Sequence, residues 1–236
     1  MIPNTLYVAA SSAGLSTRAT EFIRARSHRA RFDRGITGER LRDEIARVYG
    51  RPNDAIVDLL DALQSRYGGL TYESGFFQTV VRFAPVCEPE DALEELEILY
   101  AVVTGGPAGA SVKANGGVEV GLDAAGVVEF ASLDSLIECD ALFATVEALG
   151  ATTERYLDSE SFETVLGSLV ADERLALRPV SEASGRRTHW LESESLMVYA
   201  TNVWSALGLV MPPMIRAWAI DEDEIDRVDS LLGSTP

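Results

Sequence analysis

Residues 53–83, NDAIVDLLDALQSRYGGLTYESGFFQTVVRF, change their apolar period in the middle. Up to Tyr67 the apolar positions Ile56, Leu59, Leu60, Leu63 and Tyr67 recur at helical spacing behind Asn53, which opens the helix. Gly68 and Gly69 close it. Paired glycines let a chain leave a helix through positive φ, where a Cβ is strained, so at least one of the two is expected there, with Tyr67 packed beneath. Residues 76–83 then read as strand, rich in β-branched and aromatic side chains. A helix that gives way to successive short strands, without regular βαβ alternation, indicates an α+β fold: a mainly antiparallel sheet flanked by helices.

Upstream of this stretch, Leu41, Ile45 and Val48 mark a helix that starts near Thr37 and stops at Gly50. Residues 17–34 carry Arg18, Arg24, Arg26, Arg29, Arg31 and Arg34, and residues 1–35 are expected as a basic, flexible or loosely helical arm. Downstream, short strands are expected over 96–103, 117–122 and 127–131, the last two as a hairpin turning at 123–126. The glycines at 105, 106 and 109 read as a loop. A helix over 132–149 opens at Ser132 and stops at Gly150, and a second is expected over 153–170. Strands at 188–192, 196–201 and 215–220 precede a final helix capped by Asp221, with Glu224 near the capping-box position and Ile225, Val228 and Leu232 inward. Residues 36–236 are taken as one acidic α+β domain.

Charge is the most unusual bulk property: 20 basic against 37 acidic residues, a net of −17. Residues 1–51 hold ten arginines and five acids, so the remainder has 10 basic and 32 acidic residues, a net of −22. Such a body repels nucleic acid and anionic membrane, and it speeds encounter with a basic partner. No apolar run approaches the roughly 20 residues of a membrane span, and the N-terminus lacks a basic signal-peptide region. Two cysteines, Cys87 and Cys139, are too few for a structural zinc site and read as small buried hydrophobes. A cytoplasmic protein is expected.

Neither histidine, His28 or His189, has a metal-ligand neighbour at i+3 or i+4, and no G-x-S-x-G elbow accompanies His189. Pro107 interrupts the glycines at 105–109 and no Walker lysine follows, so no nucleotide loop is assigned there. Carboxylate pairs such as Glu192 with Glu194 are too abundant for any one to imply a raised pKa. No catalytic, cofactor or metal residues are therefore assigned. The dense run Glu88, Glu90, Asp91, Glu94, Glu95 and Glu97 is the candidate surface for a basic protein partner.

The order Ile36-Thr37-Gly38-Glu39, Leu41, Glu44, Ile45, Tyr49-Gly50, Pro52, Leu59, Leu60 and Tyr67-Gly68-Gly69-Leu70 resembles the entry to the SUKH superfamily. The run Gly126-Val127-Val128-Glu129-Phe130-Ala131-Ser132-Leu133 is similar to that family's last strand passing into its terminal helix. The family's usual Leu before the proline is missing at Arg51, and the segments before 36 and after 150 exceed a minimal family domain. The resemblance implies an α+β fold without catalytic residues. It also implies a role like that of the family's bacterial immunity proteins, which bind and neutralise a cognate toxin, often a nuclease. Competing expectations are an enzyme using paired carboxylates, and an oligomeric scaffold with Trp190, Trp204 and Trp218 at an interface instead of in the core.

Overall fold

A computed structural model of the protein describes residues 14–122 and 125–233. Its chain divides into two compact units, Met1–Asp134 and Ser135–Pro236. The fold is α+β, with two wholly antiparallel sheets, so the expected class holds. The division differs from the single domain expected over 36–236.

In the first unit, helices α1 (Thr17–Arg26), α2 (Gly38–Tyr49) and α3 (Asp54–Tyr67) accompany seven strands: β1 (His28–Arg29), β2 (Leu70–Ser74), β3 (Thr79–Arg82), β4 (Glu97–Thr104), β5 (Ala108–Lys113), β6 (Val118–Leu122) and β7 (Ala125–Phe130). The strands pair strictly in chain order; α2 and α3 lie in the long connection from β1 to β2, and the later strands follow one another without a helix between them. The side chain of Ser16 caps α1 by accepting from the Ala19 N–H at 3.1 Å, and α1 buries Ala19, Phe22 and Ile23. Phe22 meets Tyr72 edge to face at 5.1 Å. The arginine-rich segment is thus part of the core and the sheet, not a loose arm. Three apolar side chains spaced along one turn decide that, against the charge of their neighbours.

Gly69 leaves α3 at φ 80°, as the paired glycines require. Its carbonyl accepts from the Ala30 N–H at 2.7 Å and its N–H donates to the Phe83 carbonyl at 2.8 Å, joining the segments on either side of β2. Tyr67 is buried beneath, 6.0 Å from Phe83.

The second unit contains most of α4 (Leu133–Val146), followed by β8 (Ala151–Tyr156), α5 (Ser159–Ala171), β9 (Arg178–Pro179), β10 (Thr188–Glu192), β11 (Leu196–Thr201), α6 (Val203–Ala206), β12 (Met214–Ala219) and α7 (Glu222–Leu232). Its sheet runs β8-β12-β11-β10-β9, the last strand returning to lie beside the first. Phe162, Val165 and Leu169 of α5 and Ile225, Val228 and Leu232 of α7 pack on Val198, Ile215 and Ala217 of the sheet. Opposite them lie Trp190, Tyr199 and Trp218, grouped around Phe143 of α4 at 4.7–6.2 Å. All six residues of β11 are buried. Trp190 and Trp218 are therefore core residues.

Residues 153–170, expected as one helix, divide between β8 and α5. Asp158 starts the helix by accepting from the N–H groups of Glu160 and Ser161 at 3.0 and 2.9 Å. Asp221 caps α7 as expected, but Glu224 accepts from the Ser195 hydroxyl at 2.6 Å.

Candidate functional site

The outer face of the seven-stranded sheet is shaped by an irregularity in β4. Ile98 pairs with Val112 and Val102 with Ala110, so three residues of β4, Leu99 to Ala101, lie opposite Ser111 alone. The excess bulges out at Tyr100, a non-glycine residue at φ 51° that is 53% exposed. Hydrogen bonds hold the bulge: the Ala84 N–H donates to the Tyr100 carbonyl at 3.1 Å, and Leu99 exchanges two with Val86. Tyr100 consequently stands as a wall between two depressions of about 470 and 630 Å³.

On one side of it is a shallow trough. Register places Arg82, Val103, Gly109, Gly121 and Gly126 in one lateral row from β3 to β7, so the floor has almost no side chains. Glu119 lies over Gly126, where a Cβ would come within 2.5 Å of its Oε1. At the end of the trough is Lys113, the only lysine, with a side chain 15% exposed. Its Nζ stands 3.0 Å from Glu97, 3.2 Å from Glu119 and 3.3 Å from Glu95. Ser111 donates to Glu97 at 2.7 Å. Burial by itself lowers the Lys113 pKa, but the hydrogen bonds and charges of Glu97 and Glu119 outweigh it and hold the pKa above the usual lysine value.

The six candidate acids thus divide. Glu95 and Glu97 are held by Lys113. Glu88, Glu90, Asp91 and Glu94 are exposed on the loop between Val86 and β4, and among the described residues no cation lies within ion-pair distance of them. An Asx turn shapes the loop: Asp91 accepts from the Leu93 N–H at 2.9 Å, and Tyr49 donates to the Glu94 carbonyl at 3.2 Å. Leu93, at the tip, is 94% exposed. The result is an apolar side chain surrounded by uncompensated carboxylates.

The second depression lies between the segment after β1 and the bulge. Arg31, Phe32, Arg82, Glu88, Tyr100 and Val103 line it. Neither the bulge nor this groove is legible in the sequence. For Lys113 the one signal in the sequence is that it is the only lysine.

His189, half-buried on β10, is pushed below the usual histidine pKa by burial, which the charge of Glu163 partly opposes. Burial, with the charge of Glu88, raises the Cys87 thiol to about 11, so it carries little thiolate at neutral pH. Cys139 is also buried, and accepts from the Trp190 indole N–H at 3.2 Å. Among the described residues no group of three or more His, Cys, Asp or Glu is arranged to hold a metal. No helix among them is long and apolar enough to cross a membrane. Compared with known proteins, the chain matches no family profile, no curated protein and no solved structure.

Proposed function

We propose that the chain is a non-enzymatic binding module of the SUKH kind, which presents the loop 88–95 to a basic protein and neutralises it, as an immunity protein does a nuclease toxin. The observation that carries this reading is the loop: four exposed carboxylates without cations around a fully presented leucine. Charge of one sign speeds encounter and sets orientation, while an apolar centre stripped of water on contact supplies affinity. A nuclease must be basic to hold its phosphate substrate, and an acidic loop of this kind covers such a surface.

The test is calorimetric titration with a nuclease toxin domain encoded beside the gene. Affinity should fall about tenfold or more between low and physiological salt. The double reversal Glu90→Lys, Glu94→Lys, which spares the Asx turn of Asp91, should weaken binding at least about tenfold while leaving thermal unfolding within about a degree, since these two side chains are solvated. Undiminished toxin activity in an excess of the chain, or binding indifferent to the reversal, overturns the reading.

A further inference from the structure

We propose that the groove between the segment after β1 and the bulge of β4 binds a mononucleotide-type ligand, a phosphate monoester joined to a planar ring. Its volume, about 630 Å³, is that of small-molecule sites, and its lining combines apolar, aromatic and charged groups.

The phosphate end is defined by Arg31 and Arg82. The arginines of the same N-terminal run have different uses. Arg29 donates to the Gly68 and Ser65 carbonyls at 2.8 and 3.2 Å, and Arg34 donates to Gln64 at 2.8 Å, so both serve the end of α3. Arg31 and Arg82 are exposed, and neither side chain makes a hydrogen bond or ion pair among the described residues. In a chain of net charge −17 carboxylates are abundant, and Asp33 and Glu88 line the same groove, yet neither guanidinium is ion-paired. A guanidinium presents a planar fork that matches two phosphate oxygens, and Arg82 is set on a strand paired on both sides, at Thr71 and Val103.

The ring end is defined by Tyr100. Its backbone is held where a glycine would be more stable, and its ring is exposed at the edge of the groove. Conformational strain that persists in a folded protein is concentrated at sites that use it. A planar heterocycle stacks on such a ring, with Phe32 also in the lining. Glu88 and Asp33 supply acceptors for the exocyclic amino or ring N–H groups of a base. The same two acids, and the loop that begins at Glu88, repel a polyanionic strand, so the ligand is a single nucleotide and not a length of nucleic acid.

The experiment is titration of the full chain with AMP, GMP, CMP and UMP, with ribose 5-phosphate, with the matching nucleosides and with a ten-nucleotide strand. At least one mononucleotide should bind saturably with Kd below about 1 mM. The sugar phosphate and the nucleoside should each bind about tenfold more weakly, since each lacks one end of the contact. Arg82→Ala, Arg31→Ala and Tyr100→Gly should each weaken the nucleotide by about tenfold or more. Tyr100→Gly suits the backbone conformation and should melt no lower than the native chain, which separates loss of the ring from loss of the fold. Absence of saturable binding by all four nucleotides up to about 10 mM, affinity unchanged in Arg82→Ala and Tyr100→Gly, or tighter binding of the strand than of any mononucleotide overturns the proposal.

Discussion

Gly69 and Gly150 are both glycines that the sequence places at helix ends, but α4 stops at Val146, four residues before Gly150, and the surroundings of the two are opposite. A Cβ on Gly69 would lie 2.1 Å from the Ala30 carbonyl oxygen, and its φ of 80° is unfavourable to any L side chain. Relief requires moving the segment after β1, which would break the 2.7 Å hydrogen bond from Ala30 to Gly69. Gly69→Ala should therefore lower unfolding free energy by about 3 kcal/mol, the sum of a left-handed alanine and a lost buried contact. At Gly150 an added Cβ meets nothing within 4 Å and φ is not positive. Gly150→Ala should raise stability by about 0.5 kcal/mol through the unfolded chain. Urea titration of the two variants reads both signs, and equal effects would remove the explanation. The sequence revealed the glycine pair through its position at a helix end, but not the approach of Ala30, which depends on a segment 39 residues earlier.

At the scale of elements, Lys113 links three strands: it lies on β5 and its ammonium is shared by Glu97 of β4 and Glu119 of β6. Removing it leaves three carboxylates around a partly enclosed space with no counter-charge. Lys113→Ala should cost about 2 kcal/mol in unfolding free energy, below a fully buried pair because Glu95 faces solvent. The double variant Lys113→Ala, Glu119→Gln should recover part of the loss, which guanidinium titration measures; no recovery would mean that the lysine acts through packing alone. The same strands show why some elements were legible and others not. β10 and β11 carry large β-formers and fall at 188–192 and 196–201, as the pattern predicted. β5 is Ala-Gly-Ala-Ser-Val-Lys, whose small outer residues form the trough floor but give no strand signal, so 105–109 read as a loop. β8, Ala-Thr-Thr-Glu-Arg-Tyr, was absorbed into the following helix because an exposed edge strand has little apolar alternation to mark it. The acidic run was found by composition. Its division into a solvated loop and a lysine clasp followed from the strand register, which composition does not contain.

Over the whole molecule the two units differ in charge density. Residues 1–134 contain 13 basic and 19 acidic residues, a net of −6; residues 135–236 contain 7 and 18, a net of −11. Four consecutive acids, Asp221 to Glu224, fall at the start of α7, where the helix dipole and the cap at Asp221 favour negative charge. Most of the remaining excess has no such compensation, and the exposed ion pairs, such as Arg34 with Asp61 and Arg42 with Asp54, contribute little. Self-repulsion must therefore weaken the folded state at low ionic strength, where charges interact over about 30 Å at 0.01 M salt. Raising sodium chloride to 0.3 M shortens that range below about 10 Å and should raise the melting temperature by several degrees. Sucrose of equal osmolality serves as the control, since it leaves charge unscreened. Binding to a basic partner should respond to the same salt with the opposite sign, because attraction between the molecules is screened along with repulsion within one. A melting temperature that falls with salt would mean that the surface ion pairs, and not the net charge, dominate the electrostatics of the fold.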